Sequence, residues 1–305
     1  MTELDRGRAA YAAADWALAR ECLRAAEAEA SLGAPDLVLA GQVALLLGDD
    51  DDGADLLARA HRSFLAGGDA EHAALCAFWL GMHLVNRGEL APGYGWFART
   101  HRLLASEGGD WVVGGYLLLP AGWQAVAEGR LDEAADLFAR AAAEGERFRE
   151  PDLLALAQAG HGHVLIAAGR PREGTALLDE AMVSVTGGEL SPVTTGAVYC
   201  TLIDVCQRAL DVRRAQEWTA ALEHWWSAQP GLVPFTGACL VHRAHITRLH
   251  GDWSLALAEA THACERLTAH DPRAAASGFV ELGELHSLRG ETDLADEAFQ
   301  RAAAL

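Results

Sequence analysis

A short phrase recurs eight times along this 305-residue chain at a nearly constant interval. A turn residue is followed by a charged or polar residue and then by the start of a new apolar period. The phrase stands at Ala14-Asp15-Trp16, Gly48-Asp49-Asp50, Gly88-Glu89-Leu90 and Gly129-Arg130-Leu131. It returns at Gly169-Arg170-Pro171, Leu210-Asp211-Val212, Gly251-Asp252-Trp253 and Gly290-Glu291-Thr292. Successive turns lie 34, 40, 41, 40, 41, 41 and 39 residues apart. Such a period limits the fold severely. Each repeat is one supersecondary unit that cannot bury its apolar face alone, so neighbours must stack.

Aligned on the turn, a second layer appears. Seven residues before it stand Gly7, Gly41, Gly81, Gly122, Gly162 and Gly283, with Ile203 and Ala244 in the other two repeats. Five residues after it every repeat is small, from Ala19 and Gly53 to Ala256 and Ala295. Nine after it stand Leu23, Leu57, Phe97, Phe138, Leu178 and Phe299. Small residues let two antiparallel helices approach, and one large apolar side chain fills the space beside them. The pattern resembles the tetratricopeptide repeat, with its helix-A glycine and helix-B small-x-x-x-large spacing. The expected fold is all-α: a right-handed tetratricopeptide-like α-solenoid of about eight helix pairs, with a repeat of about 40 residues, forming a single domain over 1–305. The excess over the usual period of about 34 is expected in extended connectors near Gly67-Gly68, Gly108-Gly109, Gly187-Gly188 and Pro230-Gly231. In the fourth pair, helix A is expected over about 110–128 and helix B over about 131–147. The last helix B carries no polar cap after it, so the natural chain is expected to continue or to meet a partner there.

Composition agrees. The chain is rich in alanine, leucine and arginine, and contains no lysine. Acidic residues number 43 against 24 basic ones, a formal charge of −19. That balance argues against direct nucleic-acid binding by this segment, which needs a clustered basic surface. The first residues lack a signal-peptide core, and the longest apolar run is too short to span a bilayer. Six cysteines at irregular spacing, with no C-x-x-C pair, are expected to be reduced and mostly buried. A cytoplasmic protein is expected, without a membrane partner.

Several phrases resemble actinobacterial LuxR-type regulators, which carry a long tetratricopeptide array ahead of a C-terminal helix-turn-helix. They include Cys76-Ala77-Phe78-Trp79-Leu80-Gly81, Val198-Tyr199-Cys200, Glu217-Trp218-Thr219-Ala220-Ala221-Leu222 and Cys239-Leu240-Val241-His242-Arg243-Ala244. Leu282-Gly283-Glu284-Leu285-His286-Ser287-Leu288-Arg289-Gly290-Glu291 is another. The resemblance implies the sensory half of a transcriptional regulator, with its own C-terminal DNA-binding domain as a further partner. The DNA-binding half is not in this segment. At −19, the array is expected to attract a basic DNA-binding domain. The family phrase continues with Glu after His-Arg-Ala, whereas His245 stands there.

Other candidates reduce to structure. Asp49-Asp50-Asp51-Asp52-Gly53 is out of register for a calcium loop, and its acids suit a helix N-terminus. His161 and His163 are two apart on a helix and face different ways. His242 and His245 lack a third ligand at metal spacing. No nucleophile elbow, phosphate loop or zincin motif appears. No catalytic, cofactor or metal site is therefore expected, and the chain is not expected to be an enzyme. Trp225-Trp226, followed by 230–235, is expected to cap a repeat junction.

The inward face of helix A is the candidate groove. Its rows place Phe78, Met82, Tyr116, Leu119 and Trp123 as an apolar floor. They place His163, Asp204, Gln207, His245 and Arg248 as a polar end that would orient a ligand's polar group. Histidine's ordinary pKa near 6.5 would make that end pH-sensitive, with Asp204 favouring the charged imidazoles. The expected occupant is a small molecule or peptide. The alternatives are a general protein-interaction scaffold and an enzyme using the same concavity. A tight stack whose inward residues pack on one another would leave no groove.

Overall fold

The computed structural model describes residues 1–209, 211–227, 229, 232, 236–249, 251–268 and 272–305, without the side chains of 212, 223, 226, 236–240, 266, 272 and 273. Among the described residues the secondary structure is helical and contains no strand. The helices are α1 (Glu3–Ala12), α2 (Trp16–Glu29), α3 (Ala34–Leu46), α4 (Asp50–Ala66), α5 (Ala70–Asn86) and α6 (Leu90–Glu107). They continue with α7 (Val113–Tyr116), α8 (Leu118–Ala127), α9 (Leu131–Phe148), α10 (Pro151–Ala167), α11 (Pro171–Gly187) and α12 (Pro192–Arg208). Last come α13 (Val212–Ser227), α14 (Thr236–Leu249), α15 (Trp253–Leu267), α16 (Pro272–Leu288) and α17 (Thr292–Ala304). Among the described residues, taking α7 and α8 as one interrupted helix A leaves sixteen helices, the number that eight pairs require.

The chain divides into two compact units, Met1–Val205 and Cys206–Leu305. In the first, α1 to α5 pack in succession, and first helices of neighbouring pairs also touch, as α1 with α3 and α8 with α10. The second repeats the scheme: α13 to α17 pack in succession and α14 touches α16. This is a tetratricopeptide-like arrangement of stacked helix pairs.

The turn within each pair explains the recurring phrase. The residue after the turn residue sends its amide five residues back: Asp15 to the Ala10 carbonyl, Asp49 to Ala44, Glu89 to Leu84, Arg130 to Ala125. Arg170 to Leu165, Asp211 to Cys206, Asp252 to Thr247 and Glu291 to His286 complete the set. This bond closes a helix whose next residue turns left-handed. Gly129 takes φ +75°, with open space where a Cβ would stand. Ala14 adopts φ +56° at the equivalent place; Leu210 lies outside the described residues.

The glycines seven residues before the turn are the expected close contacts. A Cβ on Gly7 would stand 2.9 Å from Leu23, on Gly81 2.7 Å from Phe97 and on Gly122 2.8 Å from Phe138. In each case the obstacle is the large residue nine positions after the turn. One core cluster of the first unit contains two of these large residues, Phe97 and Phe138, buried with Phe78, Tyr116 and Leu153.

Two expectations need correction. The longer period is not stored mainly in extended connectors. Residues 67–69 separate α4 from α5, 108–112 separate α6 from α7 and 188–191 separate α11 from α12. The extra length is in the helices, many of 17 or 18 residues. Left-handed residues such as Gly68 (φ +80°) and Arg149 (φ +57°) end a helix abruptly, so the connector stays short. The connector at Pro230-Gly231 lies outside the described residues. The fourth helix A does not begin near Asp110; it starts at Val113 and breaks at Leu117. Pro120 has no amide to give the Tyr116 carbonyl, and it sits in the first turn of α8, where that loss is tolerated.

Candidate functional site

The residue six before each turn occupies one register of helix A. From the third repeat on this row reads Met82, Trp123, His163, Asp204, His245 and Glu284. Met82, Trp123 and His163 occupy it on α5, α8 and α10 of the first unit, and all three are half-buried. The Trp123 ring meets the His163 ring edge-on at 5.3 Å and the Phe138 ring at 5.2 Å. Met82 and Trp123 both flank the core of this unit, together with Leu75 and Trp79.

Three residues placed on the apolar floor are core instead. Phe78 is 0% exposed, Tyr116 2% and Leu119 3%. Phe78 packs on Tyr116 at 5.2 Å and on Phe97 at 5.8 Å between ring centres. The Tyr116 hydroxyl donates to Glu150 Oε1 at 2.8 Å. Burial is the first cause that raises its pKa, and the Glu150 carboxylate adds to it. These side chains face across the junction of neighbouring pairs, so none can touch a ligand without leaving the core.

The polar end resolves into clasps between neighbouring helices A. Gln207 Nε2 donates to the His242 carbonyl at 3.3 Å, and His242 Nδ1 lies 3.2 Å from Gln207 Oε1. His245 Nδ1 is 2.6 Å from Glu281 Oε1, and Arg248 Nε donates to Glu281 Oε2 at 2.8 Å. Arg248 Nη2 also lies 2.8 Å from Glu284 Oε2. Burial pushes the Glu281 carboxyl up, but the His245 and Arg248 hydrogen bonds outweigh it and hold its pKa below the ordinary value. Arg248 and His245 are thus engaged by an acid on the next helix A. The same geometry recurs near the N-terminus, where Arg8 grips the buried Asp36 through two bonds of 2.8 and 3.0 Å and Tyr11 donates to Gln42. Asp204 is half-buried in the first unit, and its charge adds to the burial that raises the Cys200 thiol to about 12.

Sequence reasoning missed Glu281, Glu150 and the buried Glu259, which Arg243 and Thr247 hold. The visible signal was an acid inside an apolar helix phrase, Phe279-Val280-Glu281-Leu282.

Of the four consecutive aspartates, Asp49 stands at the N-cap of α4 without a side-chain capping bond, and Asp50, Asp51 and Asp52 fill its first turn. Asp49 and Asp52 pair with Arg20, Asp52 with Arg24 and Asp51 with Arg87. Among the described residues no group of three or more histidines, cysteines or acids converges as a metal site, and no helix is long and apolar enough to cross a membrane. Five cysteines are free thiols, and Cys22, Cys76, Cys206 and Cys264 are buried. The side chain of Trp226 and residues 230, 231 and 233–235 lie outside the described set.

No family model and no curated protein matches this sequence. Solved structures do resemble it. The Rap conjugation gene regulator of the plasmid pLS20, in complex with the Phr* peptide, is 14% identical, with 94% of this chain and 74% of that chain covered at a TM-score of 0.62. BtubC from P. vanneervenii is 18% identical, with 78% and 88% covered at 0.48. A STAND protein with a tetratricopeptide repeat sensor from Pyrococcus horikoshii is 12% identical, with 94% and 44% covered at 0.48. The first likeness, with the pairing described above, defines the class: an all-α protein of tetratricopeptide-like helix pairs.

Proposed function

We propose that this chain is the sensing module of a LuxR-type transcriptional regulator, taking a small molecule or peptide against helices A of the third to fifth repeats. One observation carries the reading. Three consecutive helices A of one unit place a thioether, an indole and an imidazole at one register, half-buried, with the indole edge-on to the imidazole. Such an apolar wall with a few polar groups is what small ligands and peptide side chains use. Met82, Trp123 and His163 are the contact residues, and Asp204 is the next member of the row. In the second unit, Gln207, His245 and Arg248 hold neighbouring helices A through the clasps described above. A peptide ligand has a precedent in the Rap–Phr* complex. The sequence phrases quoted above support the LuxR-type assignment, and the formal charge of −19 supports contact with a basic C-terminal DNA-binding domain. Free buried thiols suit a reducing, cytoplasmic setting. They do not suit nucleophilic catalysis, since burial pushes Cys76 up to about 12 and Cys264 up to about 11.

The test is a native mass spectrum of the full chain, purified without denaturant and measured again after unfolding and refolding. A bound mass is expected in the first spectrum and not in the second. It should be lost in His163→Ala and in Trp123→Phe, which keeps most of the packing on Phe138. An unliganded spectrum, or an adduct that both variants retain, removes the groove. Reading the gene past the Leu305 codon tests the regulator: a stop there, with no helix-turn-helix, leaves a general interaction scaffold.

A further inference from the structure

The second and third helix pairs meet along α4 and α5, and a histidine stands at each end of that seam. His61, on α4, is 1% exposed, and its Nδ1 lies 2.7 Å from the Ala73 carbonyl of α5. A carbonyl only accepts, so Nδ1 carries the hydrogen and Nε2 is left with a lone pair. That Nε2 is buried and has no hydrogen-bond partner. The Trp96 ring of α6 closes over it edge-on at 5.3 Å. At the other end His83, on α5, places Nε2 3.8 Å from Asp50 Oδ1 on α4. Between the two lies an apolar cluster shared by both pairs, including Leu56, Ala60, Phe64, Ala73 and Cys76.

We propose that the α4–α5 seam is an acid-opened junction, in which uptake of a proton by His61 is coupled to separation of the second helix pair from the third.

The geometry sets the direction. A second ring proton on His61 would point a new N–H into a site with no acceptor and would place a positive charge out of water. The charged groups that bear on it are Arg62 from α4 and Arg99 from α6, both repelling a cation. Burial is the first cause that holds the His61 pKa below its ordinary 6.5, and the Ala73 hydrogen bond offsets it only in part. His83 differs: Asp50 favours its charged form, with Asp51 and Glu89 adding and Arg87 opposing, yet burial still leaves its pKa lowered. In the closed seam His61 is therefore neutral, and in the open seam it titrates like an ordinary imidazole. Closure is complete above pH 6.5 and weakens as pH falls below it, by about tenfold per pH unit for one linked proton until the closed-state pKa is reached. Opening would uncover the apolar cluster to a partner only in acid.

Hydrogen exchange on the full chain, corrected for the intrinsic pH dependence of exchange, tests this. Protection across 50–66 and 70–86 should fall about fivefold between pH 6.5 and 5.5, while 131–148 and 171–187 keep theirs. His61→Gln keeps a donor for the Ala73 carbonyl and cannot titrate, so its seam protection should be flat over that range. Equal loss in wild type and variant, or no loss in wild type, overturns the proposal. If the variant does not fold, an imidazole NMR titration of the wild type decides. A His61 ring that stays neutral down to pH 5.5 in the folded chain supports it, and one that titrates at 6.5 or above ends it.

Discussion

Gly122 shows how narrow the tolerance of a single position is. Its missing side chain is the space Phe138 fills, and a Cβ there would stand 2.8 Å from the Phe138 ring. Gly122→Leu is expected to destabilise by about 1–3 kcal/mol or more through overpacking, read as a lowered urea midpoint with helical content largely kept below it. These contacts were legible in the sequence because the small and large partners recur at fixed register in six repeats. The fate of Phe78, Tyr116 and Leu119 was not. Periodicity tells which side of helix A a residue is on, but not how near the next pair stands, and here it stands close enough to bury all three.

A helix in this chain is set at its ends. The left-handed turn residue and the amide bond five residues back end helix A, and an acid often opens helix B. Asp15 accepts from the Leu18 amide and Asp252 from the Leu255 amide. Gly129→Ala meets no steric neighbour but must hold φ +75°, so its expected cost is about 1 kcal/mol of backbone strain alone. Asp252→Ala is expected to cost about 1 kcal/mol through the lost cap. Thermal melts of the two variants check both. Turn positions were plain in the sequence, whereas helix lengths were not. The connectors shortened because glycines read as loop residues proved to be one-residue helix stops. The break at Leu117 depended on a proline whose lost bond is tolerated only at the start of a new helix turn.

Across whole units, the pairs are coupled by few polar clasps on a large apolar contact. In the C-terminal unit Glu281 is the shared acceptor for His245 and Arg248. Glu281→Gln should cost about 1–3 kcal/mol, since a buried charged donor loses its ionised acceptor. Because the folded-state pKa of Glu281 lies below its ordinary 4.5, its contribution is present above about pH 4.5 and is lost as pH falls through the lower value. Wild type should lose stability over that range, and Glu281→Gln should lose less. With a formal charge of −19, self-repulsion is screened by salt. The melting temperature of the full chain is expected to rise from low salt to 0.15 M, and no rise would show that the charge is locally compensated.

Repeat number, turn positions, the glycine–aromatic contacts and the all-α class could all be read from residue order, because each depends on spacing along one helix or between the two helices of one pair. Burial and partners along helix A could not be read in the same way. Met82, Trp123 and His163 are half-buried, Phe78, Tyr116 and Leu119 lie in the core, and His245 and Arg248 are held by Glu281. Those outcomes depend on the distance and rotation between one pair and the next. That geometry arises from packing side chains roughly 40 residues apart, so no local pattern encodes it.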